Sequence, residues 1–197
     1  VNFNEKKIIR DKDEIKFKKE LINNIKLKND IVITSGAISK GKYDFIPGVV
    51  NFFKLKHSFK NVAIRPGKPI MFARFKKNMC FFGLPGNPIS TAACFRFFVY
   101  PYLTNILNME DERPLKAKLK NNYKKKKNFT KFLKCKISST KNGNLEVQIL
   151  SGQESYKIKS MVGSDVWGFF KSGKSTFKKG EIINCYSQHG LNKNIFI

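Results

Sequence analysis

Acidic residues are scarce in this chain. Fourteen Asp and Glu stand against 39 Lys and Arg, for a formal charge of +25 over 197 residues. That imbalance excludes a broad acidic surface for cationic ligands and favours anionic ones. Arginine is scarcer still: five of the 39 basic residues are Arg and 34 are Lys. Readers of base edges and phosphates draw on the bidentate arginine fork. Lysine excess with abundant Asn, Ile and Phe is the profile an AT-rich coding sequence imposes. The lysines are scattered, apart from Lys124-Lys125-Lys126-Lys127. A basic nucleic-acid-binding protein is therefore the lesser reading, and no nucleic-acid partner is expected. The two histidines, His57 and His189, are isolated, which argues against an imidazole metal site. Cys80, Cys94, Cys135 and Cys185 show no CxxC or paired spacing, so free buried thiols in a reducing cytoplasm are expected. No apolar run approaches the roughly 20 residues that span a bilayer, and no membrane partner is expected.

What is present is a 41% hydrophobic composition, enough for a real core in one large or two small domains. Asp11 to about Lys28 reads as a helix with Asp11 or Asp13 as cap and Ile15, Leu21, Ile22 and Ile25 as its apolar face. Ile31-Val32-Ile33 reads as a strand buried on both faces. A helical pattern follows through Phe45, Val49, Val50 and Phe53. Strands are expected at Val62-Ala63-Ile64, Ile70-Met71-Phe72 and Met79-Cys80-Phe81-Phe82, then a helix from Asn87 to about Leu107. Strands alternating with helices imply an α/β fold with a mostly parallel sheet. Past Pro114 short strands separated by Gly-containing turns follow one another, including one at Ile158–Met161. The expected domains are therefore residues 1–110 and a small all-β, barrel-like unit over 111–197.

Three loops carry the chemistry. Thr34 to Asp44 follows an apolar strand and precedes a helical pattern, the setting of an anion-binding loop at the carboxyl end of a parallel sheet. Ser35-Gly36 lets the backbone turn and approach a ligand, Ser39 can donate to oxyanions, and Gly41 allows a second turn. Asp44 either caps the next helix or binds a metal ion; Asp11 has the same two readings. Two such carboxylates suit Mg²⁺, which completes its shell with water and phosphate. Arg65-Pro66-Gly67-Lys68-Pro69 holds two cations on a rigid frame suited to clamping an oxyanion. In Leu84-Pro85-Gly86-Asn87-Pro88-Ile89-Ser90, Asn87 caps a helix and Pro88 takes its first position.

Taken together, these loops resemble the MoeA/gephyrin family of molybdopterin molybdenumtransferases, whose TSGG-S-G-x-x-D, PGKP and LPGNP-x-S loops occur in this order and at similar spacing. Phe132-Leu133-Lys134, Gly143 to Val147, Gly152-Gln153 and Lys179-Gly180-Glu181 fall where that family has its carboxyl-terminal β domain. The resemblance implies a three-layer molybdopterin-binding α/β domain followed by a β-barrel. It implies insertion of molybdate into adenylylated molybdopterin with release of AMP and with Mg²⁺, by a homodimer. Carried over by position, Asp11 and Asp44 would be catalytic and hold Mg²⁺. Ser35, Gly36, Ser39 and Gly41 would line the pterin pocket, Arg65 and Lys68 would clamp phosphate or molybdate, and Pro85, Gly86, Asn87, Pro88 and Ser90 would form its wall. A molybdopterin-binding or adenylyltransferase-type protein without metal insertion is the alternative, against which the all-β tail counts.

The chain departs from the family pattern in places. Ala37 stands at the second Gly of the first loop, which is tolerable unless the position needs positive φ. Arg65 stands where Lys is common, Asn61 replaces a lysine, and Lys134 stands where the barrel usually has Arg. Val1-Asn2-Phe3 leads almost at once into a strand-like Lys7-Ile8-Ile9, and the family's amino-terminal domains are missing. The chain is expected to be the carboxyl half of a longer protein and to be inactive alone.

Overall fold

The structure is a computed structural model, and it describes all residues except 1–5, 11–12, 39–44, 54–55, 76–78 and 191–197. In chain order the first elements are α1 (Glu14–Lys26), β1 (Ile31–Ser35), α2 (Ile46–Phe52), β2 (Lys56–Lys60), β3 (Ile64–Arg65), β4 (Met71–Arg74) and β5 (Cys80–Leu84). Next come α3 (Pro88–Cys94), a π-helical turn (Phe95–Val99) and α4 (Tyr100–Ile106). Then follow β6 (Leu115–Leu119), β7 (Tyr123–Lys124), β8 (Thr130–Ser139), β9 (Leu145–Ile149), α5 (Lys159–Val162), β10 (Val166–Phe170), β11 (Thr176–Phe177) and β12 (Ile182–Ser187). The chain forms two compact units: residues 1–61 with 69–86, and residues 62–68 with 87–197.

The first unit is a sheet in the order β1-β5-β4-β2 with helices packed on it. Among the described strands of this sheet only β1 and β5 run parallel; β4 is antiparallel to both β5 and β2. Among the described strands the sheet is therefore mixed, not mostly parallel, because β4 pairs antiparallel with β5, a pairing that Phe75 N–H extends by donating to Met79 O at 2.8 Å. The α/β character stands.

The Asp13 carboxylate caps α1, accepting from the Lys16 amide at 2.9 Å. The helix buries Phe17 and Leu21 at i, i+4 spacing, with Ile25 partly buried beyond them. The expected face was offset: Ile15 is 82% exposed and Ile22 39% exposed. Phe17 and Leu21 join Ile46, Val49 and Val50 of α2 against Met71, Ala73 and Phe81 of the sheet. The ladder Phe59-Phe72-Phe82 lies across β2, β4 and β5, with ring centres 5.5 and 4.9 Å apart. All five residues of β5 are buried. β1, with one described neighbour, is not buried on both faces as expected: Ile33 is 40% exposed.

In the second unit, β10-β12-β6-β9-β8 form a sheet that closes on itself through β8–β10 pairing, a five-stranded barrel. Ala117, Leu119, Leu133, Val147, Phe170 and Ile183 are among the side chains filling it. β3 adds to it in parallel, Arg65 lying opposite Lys131 of β8. A two-stranded ribbon pairs β7 with β11. The π-helical turn aims Arg96 inward, where it is 3% exposed. Its guanidinium pairs with Glu112, donates to Ser187 O at 2.8 Å and lies 5.0–5.7 Å from the ring centres of Phe97, Tyr100 and Tyr186.

The segment 158–161 is not a strand: Lys159–Val162 is one helical turn. Lys134, 1% exposed, dictates this. Its ammonium donates to the carbonyls of Gly152, Glu154 and Lys157 at 2.7, 3.2 and 3.3 Å, curling the segment back on β8. Burial lowers the Lys134 pKa, with Glu154 acting against that and Lys157 with it. No helix among the described residues is long and apolar enough to cross a membrane.

Candidate functional site

Because β1 and β5 are adjacent and parallel, the segments that follow them leave the sheet at the same, carboxyl end. There the Gly36 amide donates to Leu84 O at 3.0 Å and the Ser35 hydroxyl to Pro85 O at 3.3 Å. The backbones are in contact: a Cβ on Gly86 would lie 3.3 Å from Gly36 Cα. Gly36 has φ +102°, which only glycine adopts without strain. Ala37 follows at φ +52°, so the position that carries a side chain here does require the left-handed region. Ala37 O accepts from Ile46 N–H at 3.2 Å, tying the loop to α2. The Ile38 side chain, 1% exposed, packs over Gly83 and anchors the loop from below. Ser35, Gly36, Pro85 and Gly86 thus lie side by side at the carboxyl ends of neighbouring parallel strands. The carboxyl ends of parallel strands are where α/β sheets take anionic and phosphorylated ligands. The Thr34 hydroxyl, just before these residues, is buried with no hydrogen-bond partner among the described residues.

In the second unit, the loop after β3 sits on α3. Gly67 has φ +104°, and a Cβ there would collide with the Cys94 sulfur and lie 3.6 Å from Ser90 O. The Cys94 thiol donates to Gly67 O at 3.4 Å. Ser90 and Cys94, one turn apart on α3, therefore form the seat of this loop. Burial pushes the Cys94 thiol up to about 12, so it stays protonated and serves packing, not nucleophilic chemistry. The loop projects Arg65 and Lys68, both exposed, to the ring of Phe129, at 4.8 and 5.9 Å from its centre. Among the described residues no carboxylate pairs with either cation. Two cations held together without an acid partner are suited to a doubly charged oxyanion.

Asn87 caps α3 as its sequence implies, its side chain accepting from the Ser90 amide at 3.4 Å, with Pro88 at the first helical position. Ser90 is 7% exposed. Asp11, Ser39, Gly41 and Asp44 lie outside the described residues. Among the described residues no group of three His, Cys, Asp or Glu side chains could hold a metal ion. Cys94 was expected only as a buried thiol, not as the seat of the Gly67 loop, and Phe129 was not expected at all. The i, i+4 spacing of Cys94 from Ser90 was its one available signal; Phe129 had none, because its partners come through the β3–β8 pairing.

Residues 1–105 match the family model described as "Probable molybdopterin binding domain", and residues 116–187 match the MoeA C-terminal region, domain IV. A molybdopterin molybdenumtransferase from Synechocystis sp. is 32% identical over 164 residues, 82% of this chain and 39% of that protein. The molybdenum cofactor synthesis protein cinnamon of Drosophila melanogaster is 33% identical over 141 residues, 70% of this chain and 23% of that protein. The crystal structure of a molybdopterin biosynthesis MoeA protein from Pyrococcus horikoshii aligns with a TM-score of 0.65 at 24% identity, covering 89% of this chain and 41% of that one. The chain thus spans less than half the length of these relatives.

Proposed function

The chain belongs to the MoeA family, and we propose that the protein acts in molybdenum cofactor biosynthesis as a molybdopterin molybdenumtransferase. It inserts molybdate into adenylylated molybdopterin and releases AMP. The observation that carries this reading is the side-by-side placement of Ser35-Gly36 and Pro85-Gly86 at the carboxyl ends of β1 and β5, where the two glycines let a phosphorylated pterin approach the backbone closely.

Ser35, Gly36, Ser39 and Gly41 line the pterin side. Pro85, Gly86, Asn87, Pro88 and Ser90 shape its wall. Arg65 and Lys68 hold phosphate or molybdate oxygens by charge-assisted hydrogen bonds. Asp11 and Asp44 hold Mg²⁺, a donor set that suits this ion because it accepts one or two carboxylates together with substrate phosphate. When bound, the ion offsets charge on the phosphate oxygens. The protein works as a homodimer in the cytoplasm, where its four buried free cysteines remain reduced.

The test is AMP release from adenylylated molybdopterin by the full-length protein with Mg²⁺. Release that requires molybdate supports the reading. Release at the same rate without molybdate would reduce it to pterin binding and hydrolysis without metal insertion.

A further inference from the structure

The run Lys124-Lys125-Lys126-Lys127 plays no part in that reading, yet it is not a loose solvated tract. Lys125 is 8% exposed. Its ammonium donates to Phe129 O at 2.7 Å, closing the turn from inside, and lies 5.7 Å from the centre of the Phe177 ring. Burial and the neighbouring Lys131 both lower its pKa. The turn is also pinned through its backbone: Lys125 N–H donates to Ser175 O at 2.8 Å, and Gly173 N–H donates to Lys127 O at 2.9 Å. Lys124, Lys126 and Lys127 are left exposed on a fixed frame.

That frame ends at Phe129, the ring that receives Arg65 and Lys68. Lys131, two residues on, is the register partner of Arg65 and donates to the Tyr123 hydroxyl at 3.1 Å. No carboxylate among the described residues pairs with Arg65, Lys68, Lys124, Lys126, Lys127 or Lys131. The next turn shows the contrast, since Lys174 is paired with Glu181 at 2.5 Å. Cations gathered without acid partners repel one another, and an anion of matching extent relieves that repulsion.

We infer that the turn from Lys124 to Phe129 is a second anion-binding element, continuous with Arg65 and Lys68, and that it selects ligands carrying two linked phosphates over a single oxyanion. The inference rests on the proposed role of Arg65 and Lys68 as an oxyanion clamp. One tetrahedral anion saturates those two side chains, so the lysines of the turn gain only from charge further along the ligand. Phe129 is a positioning residue in this arrangement, acting through the two cations on its face.

The experiment titrates the protein with orthophosphate and with pyrophosphate at low and at raised salt. Pyrophosphate is expected to bind about tenfold tighter and to lose more affinity as salt rises. The triple variant Lys124→Gln, Lys126→Gln, Lys127→Gln replaces exposed side chains and should keep the wild-type melting temperature. It is expected to lose that tenfold preference while binding orthophosphate as before. Unchanged pyrophosphate affinity in the triple variant overturns the inference and leaves the clamp untouched. Unchanged orthophosphate affinity in Arg65→Gln with Lys68→Gln overturns the clamp itself. Phe129→Leu should weaken both anions and Phe129→Tyr should restore them; equal binding by the two variants removes the positioning role.

Discussion

Single residues show where this chain departs from an unstrained backbone. Ala37 sits at φ +52°, a conformation that costs a side-chain-bearing residue about 1–2 kcal/mol, while glycine's greater freedom in the unfolded chain offsets part of any gain. Ala37→Gly is therefore expected to stabilise the protein by about 0.5–1 kcal/mol, seen as a rise of roughly 1–4 °C in melting temperature. A fall would show that the side chain contributes packing that outweighs the strain. Cys94 behaves oppositely, as a residue whose neutral form the fold requires. Its thiol titrates near 12 in the folded state, above the unfolded value of about 8.5. The folded state then holds the proton more tightly, so this contribution is complete below the unfolded pKa and is lost as pH climbs towards 12. Stability measured by urea denaturation should fall less steeply between pH 9 and 11 in Cys94→Ala than in the wild type; equal slopes would contradict this. The cap at Asn87 and the first-position Pro88 were legible in the sequence because capping is local. The seat that Cys94 gives Gly67 was not, because it joins residues 27 apart in the chain.

At the level of elements, helices and strands with strong local signals fell where expected, and the misreadings came from tertiary partners. The α1 span was readable from Asp13 and the spacing of its apolar residues. Which face it buries was decided by Phe45 and Phe81, whose rings lie 5.4 and 6.4 Å from Phe17. The apolar letters of Ile158 to Met161 suggested a strand, but the buried Lys134 ammonium needs three carbonyl acceptors and draws the chain into a turn to supply them. Lys134→Met keeps much of the volume and removes the donors. It is expected to cost about 3 kcal/mol, since buried carbonyls lose charged hydrogen bonds. The loss should be accompanied by faster amide exchange across residues 152–163, and exchange unchanged there would show that the segment is held by other contacts. The short ribbon of β7 and β11 gave no sequence signal, being two residues on each side.

For the molecule as a whole, the sequence was informative where function constrains spacing and silent where charge merely accumulates. Three loops in order pointed to the MoeA family, and residues 1–105 and 116–187 match its two domain models. The +25 charge, read as a compositional bias, contains one organised element in the turn closed by Lys125. The molecule's described features are a parallel pair of strands presenting two glycine-containing loops, and a loop whose two cations have no acid partner among the described residues. The decisive measurement is AMP release from adenylylated molybdopterin by the full-length protein with Mg²⁺, comparing wild type and Asp44→Ala with and without molybdate. Molybdate-dependent release is expected in the wild type, with a loss of about a hundredfold in Asp44→Ala at unchanged melting temperature. Equal turnover in the two proteins, or release indifferent to molybdate, would contradict this.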